Sequence, residues 1–122
     1  MGLPDVGDIA WVDLDDARGS EQAGRRPALV LTSLSFHETS RRAVICPITS
    51  KFRDWPTNVP LPEGMKIAGI VLVDQVRTID RAERMFDTIE KAPVEVLQNV
   101  RMKLASLLGI DAVAAFSGAG HA

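Results

Sequence analysis

The chain has 122 residues, 46% of them hydrophobic and 25% charged, which fits one globular domain and excludes a disordered or fibrous chain. No apolar run approaches the roughly 18 residues that a membrane span needs, and "MGLPDVGD" has neither a basic start nor an apolar signal core, so a cytosolic placement is expected. The net charge of −2 argues against a general nucleic-acid binder, but residues 18–53 carry seven basic groups against Glu21 and Glu38, a local +5 able to hold phosphates.

In chain order, "GDIAWVDL" (7–14) reads as a short apolar strand, with Trp11 a core residue. A loop, "GSEQAGRRP" (19–27), follows. It holds far more chemistry than a turn needs. "RPALVLTSL" (26–34) is a second strand with Pro27 at its start, where a missing N–H is tolerated. "SFHETSRR" is a polar connector, and "AVICPITS" (43–50) is a third strand. "KFRDWP" is a loop, "TNVPLP" (57–62) an edge-like extended piece, and "AGIVLVDQV" (68–76) the most strand-like run of all. "RTIDRAERMFDTIEK" (77–91) reads as strand, helical turn near "DRAE", and strand.

From residue 92 the apolar period changes. Leu97, Val100, Leu104, Leu107 and Leu108 fall on one helical face, with Pro93 in the first turn and Gly109 as the stop. This helix is assigned to core and dimer packing, and its Arg101 and Lys103 to a solvated face. Several short strands and one amphipathic helix predict a mainly β fold, a small antiparallel barrel with a helix packed on one end. The domain is placed at 1–110, with 111–122 as a flexible tail.

Several chemistries drop out. There is no Gly-Lys-Ser/Thr phosphate loop and no GxGxxG. His37 lies in a connector and His121 in the tail, so paired histidine catalysis is not expected. The lone Cys46 sits between apolar neighbours and reads as a small buried hydrophobe; no zinc set accompanies it. What remains is Glu21 and Arg26 in the first loop, with Thr49 and Ser50 ending the third strand. Such a set suits attack of an RNA 2′-hydroxyl on the adjacent phosphate without metal. The carboxylate accepts the proton, the arginine forks onto the non-bridging oxygens, and a hydroxyl adds a donor. Each residue also has a plainer reading, as a solvated turn glutamate, an ion-paired arginine or a threonine bonded to its own backbone. On spacing alone the plainer readings are preferred.

"GDIAWVDLDDARGSEQAGRRPALVL", "VICPITS" and "VLVDQVRTID", in that order, resemble the signatures of the MazF/PemK family of toxin endoribonucleases, over about residues 7–109. The resemblance implies an SH3-like antiparallel β-barrel that forms a homodimer. It also implies sequence-specific, cofactor-free cleavage of single-stranded RNA to 2′,3′-cyclic phosphate and 5′-hydroxyl ends. The implied partner is a MazE-like antitoxin whose acidic segment covers the RNA groove. Arg26 and Thr49 match the catalytic arginine and threonine, and Glu21 a glutamate that acts as base or substrate contact. Arg25, Gln22, Ser50, Lys51, Arg53, Gln75 and Arg77 are assigned to RNA, Arg25 for phosphate contact only and Gln75 near the bases. Phe52 and Trp55, beside Lys51 and Arg53, are read either as base-stacking groups or, preferred for Trp55, as packing over the barrel mouth or the antitoxin. The alternative, a gyrase poison like CcdB, depends on a Trp-Gly-Ile end, where this chain has "LLGI" at 107–110 and ends "FSGAGHA".

Overall fold

The alternating run DIAWVD forms β1 (Asp8–Asp13) in the computed structural model, which describes residues 2–14, 24–51 and 54–111. There follow β2 (Arg25–Val30), α1 (Leu34–His37), β3 (Arg42–Thr49), β4 (Asn58–Pro60), β5 (Ile70–Leu72), β6 (Arg77–Asp80), α2 (Arg81–Arg84), β7 (Met85–Lys91) and α3 (Val94–Leu108). All strand pairs are antiparallel, in the order β4-β5-β3-β2-β1-β7, with β6 beside the first half of β3. The sheet curls into the expected barrel-like form without closing: among the described residues β4, β6 and β7 each pair on one side only. The expected tail, from residue 112 on, lies outside the described residues.

Alternation along the strands divides the interior in two. Ile9, Leu29, Cys46 and Ile48 face a larger core completed by Val59, Val71, Val73 and, from α3, Val96 and Val100. Ala10, Val12, Ala28, Val30, Ala43 and Ile45 face a smaller one with Ile79. Burial of the Cys46 thiol, reinforced by the negative charge of Asp74, pushes its pKa up to about 12. It is the inert apolar filler that its sequence neighbours imply.

Two runs break earlier than their composition predicts. β2 stops at Val30, short of residue 34, because side chains take over the backbone's partners: Thr32 Oγ1 accepts from the Val44 N–H (3.2 Å), and Ser33 caps α1 by accepting from Phe36 (3.3 Å). The connector thus contains a helical turn. Its His37 is 2% exposed. The ring donates from Nδ1 to the Pro4 carbonyl (2.7 Å), and Nε2 accepts from the Thr32 hydroxyl (2.7 Å), which fixes the tautomer and ties the N-terminal segment down.

The run 68–76 is not one strand. Ile45 faces Arg77, yet Ile48 faces Val71, so three residues of β3 are matched by six on the neighbouring chain. The surplus is looped out as a 3-10 turn, Val73–Gln75, which separates β5 from β6 and carries Asp74 and Gln75 out of the sheet.

α3 is capped by Pro93 and ends at Gly109, whose φ of 73° permits the left-handed stop. Ile110 N–H closes onto the Ala105 carbonyl (2.8 Å) and Gly109 N–H onto Ser106 (3.1 Å). The expected apolar face is only partly used. Leu97 and Leu104 pack on the larger core, while Leu107 and Leu108 are exposed. Lys103 is not on a solvated face: its Nζ donates to the Pro56 carbonyl and pins the turn before β4.

β5 rides directly on the end of β3. At Gly69 (φ +151°) an added Cβ would stand 2.5 Å from the Thr49 carbonyl oxygen and 3.0 Å from Ile48. Replacing Gly69 by alanine is expected to cost about 1–3 kcal/mol, measurable by urea unfolding. Unchanged stability would mean that this approach is loose. The raised Cys46 pKa has a defined sign. From the ordinary value of 9.0 up to about 12 the unfolded chain loses the thiol proton and the folded chain keeps it. Stability therefore falls with pH in that window. A thiol reagent at pH 8 is expected to label Cys46 only as fast as the chain unfolds; immediate labelling of folded protein would contradict the burial.

Candidate active site

The β2–β3 ladder places Arg26 and Thr49. Its rungs are Val30–Ile45, Leu29–Cys46 and Ala28–Pro47. Hydrogen-bonded and non-bonded pairs alternate in an antiparallel ladder, and Leu31 donates to Val44 (2.8 Å). By that alternation the pair after Ala28–Pro47 should be bonded. It would be Pro27 with Ile48, and proline has no N–H to give. The ladder ends there. On the opposite edge of β3, Ile48 and Thr49 pair with Val71 and Ile70 of β5. The same register carried on sets Arg26 across from Thr49, at the mouth of the opened pair. Both continue the strand faces of Ala28, Val30 and Ile45, so they extend from the smaller core's side of the sheet.

Two clefts meet at these residues. The first, about 440 Å³, is lined by Trp11, Arg25, Arg26, Thr49, Ser50 and Lys51, among others, with Ile67 and Ala68 as its far wall. The second, about 420 Å³, is lined by Leu14, Arg26, Thr49, Leu72, Gln75 and Arg77, among others. Arg26, Ile48 and Thr49 line both. Among the described residues every charged side chain lining either cleft is basic, so these side chains attract anions to the junction.

The side chains at the junction are prepared for contact. Arg26 is exposed, and among the described residues no carboxylate pairs with it. Thr49 is 8% exposed, and its Oγ1 accepts from the Lys51 N–H (3.1 Å), which fixes the oxygen and leaves its proton to donate outward. Arg25 stacks on Phe86 of β7, its guanidinium carbon 4.2 Å from the ring centroid, while still lining the first cleft. The far wall is held by Glu90 of β7, whose carboxylate oxygens accept from the N–H groups of Lys66 (3.1 Å) and Ile67 (2.8 Å). Sequence reading missed Phe86 and Glu90 because both act across the sheet from β7, with no motif beside them.

Of the residues singled out from sequence, Arg25, Arg26, Thr49, Ser50 and Lys51 come together in the first cleft, and Gln75 and Arg77 join Arg26 and Thr49 in the second. Gln75 gets there through the 3-10 bulge. Trp55 stands apart in a third cleft, 60% exposed, so it does not pack over the barrel mouth. Trp11, expected in the core, is only half-buried and lines the first cleft, because β1 reaches beyond the larger core at this end. Glu21, Gln22, Phe52 and Arg53 lie outside the described residues.

The chain is 38% identical over 109 residues to the endoribonuclease toxin MazF of Escherichia coli K12, covering 88% of this chain and 96% of that one. Its fold matches the crystal structure of MazF from Deinococcus radiodurans with a TM-score of 0.82 at 38% identity, over 90% of this chain and all of that one (100%). A MazE–MazF crystal structure from the same organism matches with a TM-score of 0.78 at 34% identity, over 91% of this chain and 100% of that one. The family described as PemK-like, MazF-like toxin of type II toxin-antitoxin system matches residues 5–108. From the three motif segments to the curled sheet and the cleft junction at its end, the chain belongs to the PemK/MazF family of type II toxins.

Proposed function

We propose that this chain is the toxin of a type II toxin–antitoxin pair and an endoribonuclease that cleaves single-stranded RNA, with the reacting phosphate at the junction of the two basic clefts. The observation that carries this is the meeting of Arg26 and Thr49, from different strands, at a point that both clefts share. The 2′-oxygen attacks the adjacent phosphorus and the bond to the 5′-oxygen breaks. A 2′,3′-cyclic phosphate remains on one fragment, and the leaving oxygen becomes a 5′-hydroxyl. Arg26 spans the non-bridging oxygens as charge builds on them, and the Thr49 hydroxyl donates a further hydrogen bond. Glu21 accepts the 2′-hydroxyl proton or positions the ribose. Arg25, Ser50, Lys51 and Arg77 hold flanking phosphates, with Gln75 toward the bases; Gln22 and Arg53 extend the same surface. No metal or cofactor enters this chemistry.

Residues 1–110 form the working unit, which agrees with the family match over residues 5–108. A MazE-like antitoxin is the proposed partner, since a MazE–MazF complex is among the structures this fold matches. A second copy of the chain is proposed to cover the apolar end of α3, where Leu107, Leu108 and Ile110 are exposed. Among the described residues no helix is long and apolar enough to cross a membrane, and the bacterial cytoplasm, where the RNA is, is the proposed compartment. Nothing observed favours gyrase poisoning.

Purified protein with a long single-stranded RNA and EDTA is expected to give discrete cuts when 5′ ends are mapped. Arg26→Ala should lower the rate by about 2–4 kcal/mol of transition-state stabilisation, as loss of one oxyanion donor does. Thr49→Ala should also be impaired. Arg26→Lys should fall clearly below wild type, because a point charge does not reproduce the fork. Gyrase arrest without RNA cutting, or wild-type rates in Arg26→Ala, would overturn the assignment.

A further inference from the structure

The third cleft differs in charge from the two at the reaction centre. It is about 220 Å³ and lined by Asp54, Trp55, Asn58, Leu72, Asp74 and Gln75. It is no separate hollow, since Leu72 and Gln75 also line the second cleft. The three clefts therefore form one track, in which Arg26 and Thr49 join the first to the second, and Leu72 and Gln75 join the second to the third. Along that track, among the described residues, the charged lining is basic in the first two clefts and acidic in the third, where Asp54 and Asp74 are the charged groups.

Phosphates cannot be what the third cleft holds, because two carboxylates would repel them. A base held away from its phosphate can occupy it. Trp55 offers a stacking plane, and Asp54 and Asp74 offer acceptors only. The platform is also held in place. Asn58 N–H donates to the Trp55 carbonyl (3.0 Å), Lys103 anchors Pro56 from α3, and the 3-10 turn fixes Asp74. Guanine is the one base whose Watson–Crick edge presents two adjacent donors, N1–H and the N2 amine, to match the two oxygens of a carboxylate. Uracil sets one N–H between two carbonyls that a carboxylate repels. Adenine and cytosine each bring one amine beside a ring-nitrogen acceptor.

We infer that the cleft at Trp55, Asp54 and Asp74 is a guanine subsite, in which one base of the RNA stacks on the indole and gives its N1–H and N2 hydrogens to a carboxylate. The inference rests on the endoribonuclease reading for its substrate, and it places part of the cleavage specificity in acidic side chains.

The test uses wild-type protein and single-stranded heptamers of 2′-O-methyl uridine, which cannot be cleaved, each with one central guanosine, inosine, adenosine or cytidine. Tryptophan fluorescence is titrated, with Trp55→Phe to assign the signal. The guanosine heptamer is expected to quench Trp55 and bind about tenfold tighter than the inosine and all-uridine heptamers. Asp54→Asn combined with Asp74→Asn should abolish that discrimination while keeping general RNA binding. Equal binding of all heptamers, or discrimination that survives the double substitution, overturns the subsite. Stronger quenching of Trp55 by an oligo-arginine peptide than by any heptamer also overturns it, and makes the cleft a protein-binding site. Guanine discrimination without cleavage of any RNA would sink the endoribonuclease reading and leave the subsite standing; cleavage without discrimination does the reverse.

Discussion

Much of this molecule follows from one absent hydrogen-bond donor. Pro27 cannot give an N–H to Ile48, so β2 and β3 part at the position where the next bonded rung would fall. Arg26 is left on a strand end with no rung to β3 to make, and Thr49 is left at the mouth of the gap. On its other edge the end of β3 stays paired, with β5. That contact is close enough to require Gly69, since any Cβ there would meet the Thr49 carbonyl. The Thr49 end of β3 is therefore held by a strand on one edge and left open by a proline on the other.

The second constraint is the length mismatch beside β3. Its neighbouring chain carries three residues too many between β5 and β6, and the surplus becomes the 3-10 turn. A flat strand would have turned Asp74 and Gln75 into sheet residues. As a bulge the turn lifts them to the rim, where Gln75 belongs to two clefts at once. The site is thus built from two irregularities in an otherwise regular sheet, an early ladder end and a bulge. Both leave the core intact, because Ile48 and Val73 still point into it.

Charge is distributed to match. Basic side chains face the clefts at the junction, and Arg25 is steered there by its stack on Phe86. Two acidic groups of the sheet are taken up by contacts within the fold. Glu90 accepts two backbone N–H groups of the first cleft's wall. Asp80 is pushed up by partial burial, but the Arg41 guanidinium and the N–H groups of Glu83 and Ala82 outweigh this and hold it below the usual carboxylate range, as a helix cap away from the clefts. A protein of net charge −2 can in this way present a cationic groove.

By itself the sequence determined the strands with clear alternation, the helix that ends at Gly109, the inert character of Cys46, and the family, through contiguous motifs around Arg26, Thr49 and Gln75. These are local properties, carried by neighbouring side chains and turn residues. Only the tertiary structure decided the rest. Trp11 lines a cleft because its strand outreaches the core, and "AGIVLVDQV" is broken because β3 is shorter than its partner, neither of which shows in hydrophobicity. The exposure of Leu107 and Leu108, on a face whose period reads as buried, depends on where the sheet beneath α3 stops. Phe86, Glu90 and Lys103 act on segments far from them in sequence, and the pairings that bring them there are set by the whole sheet.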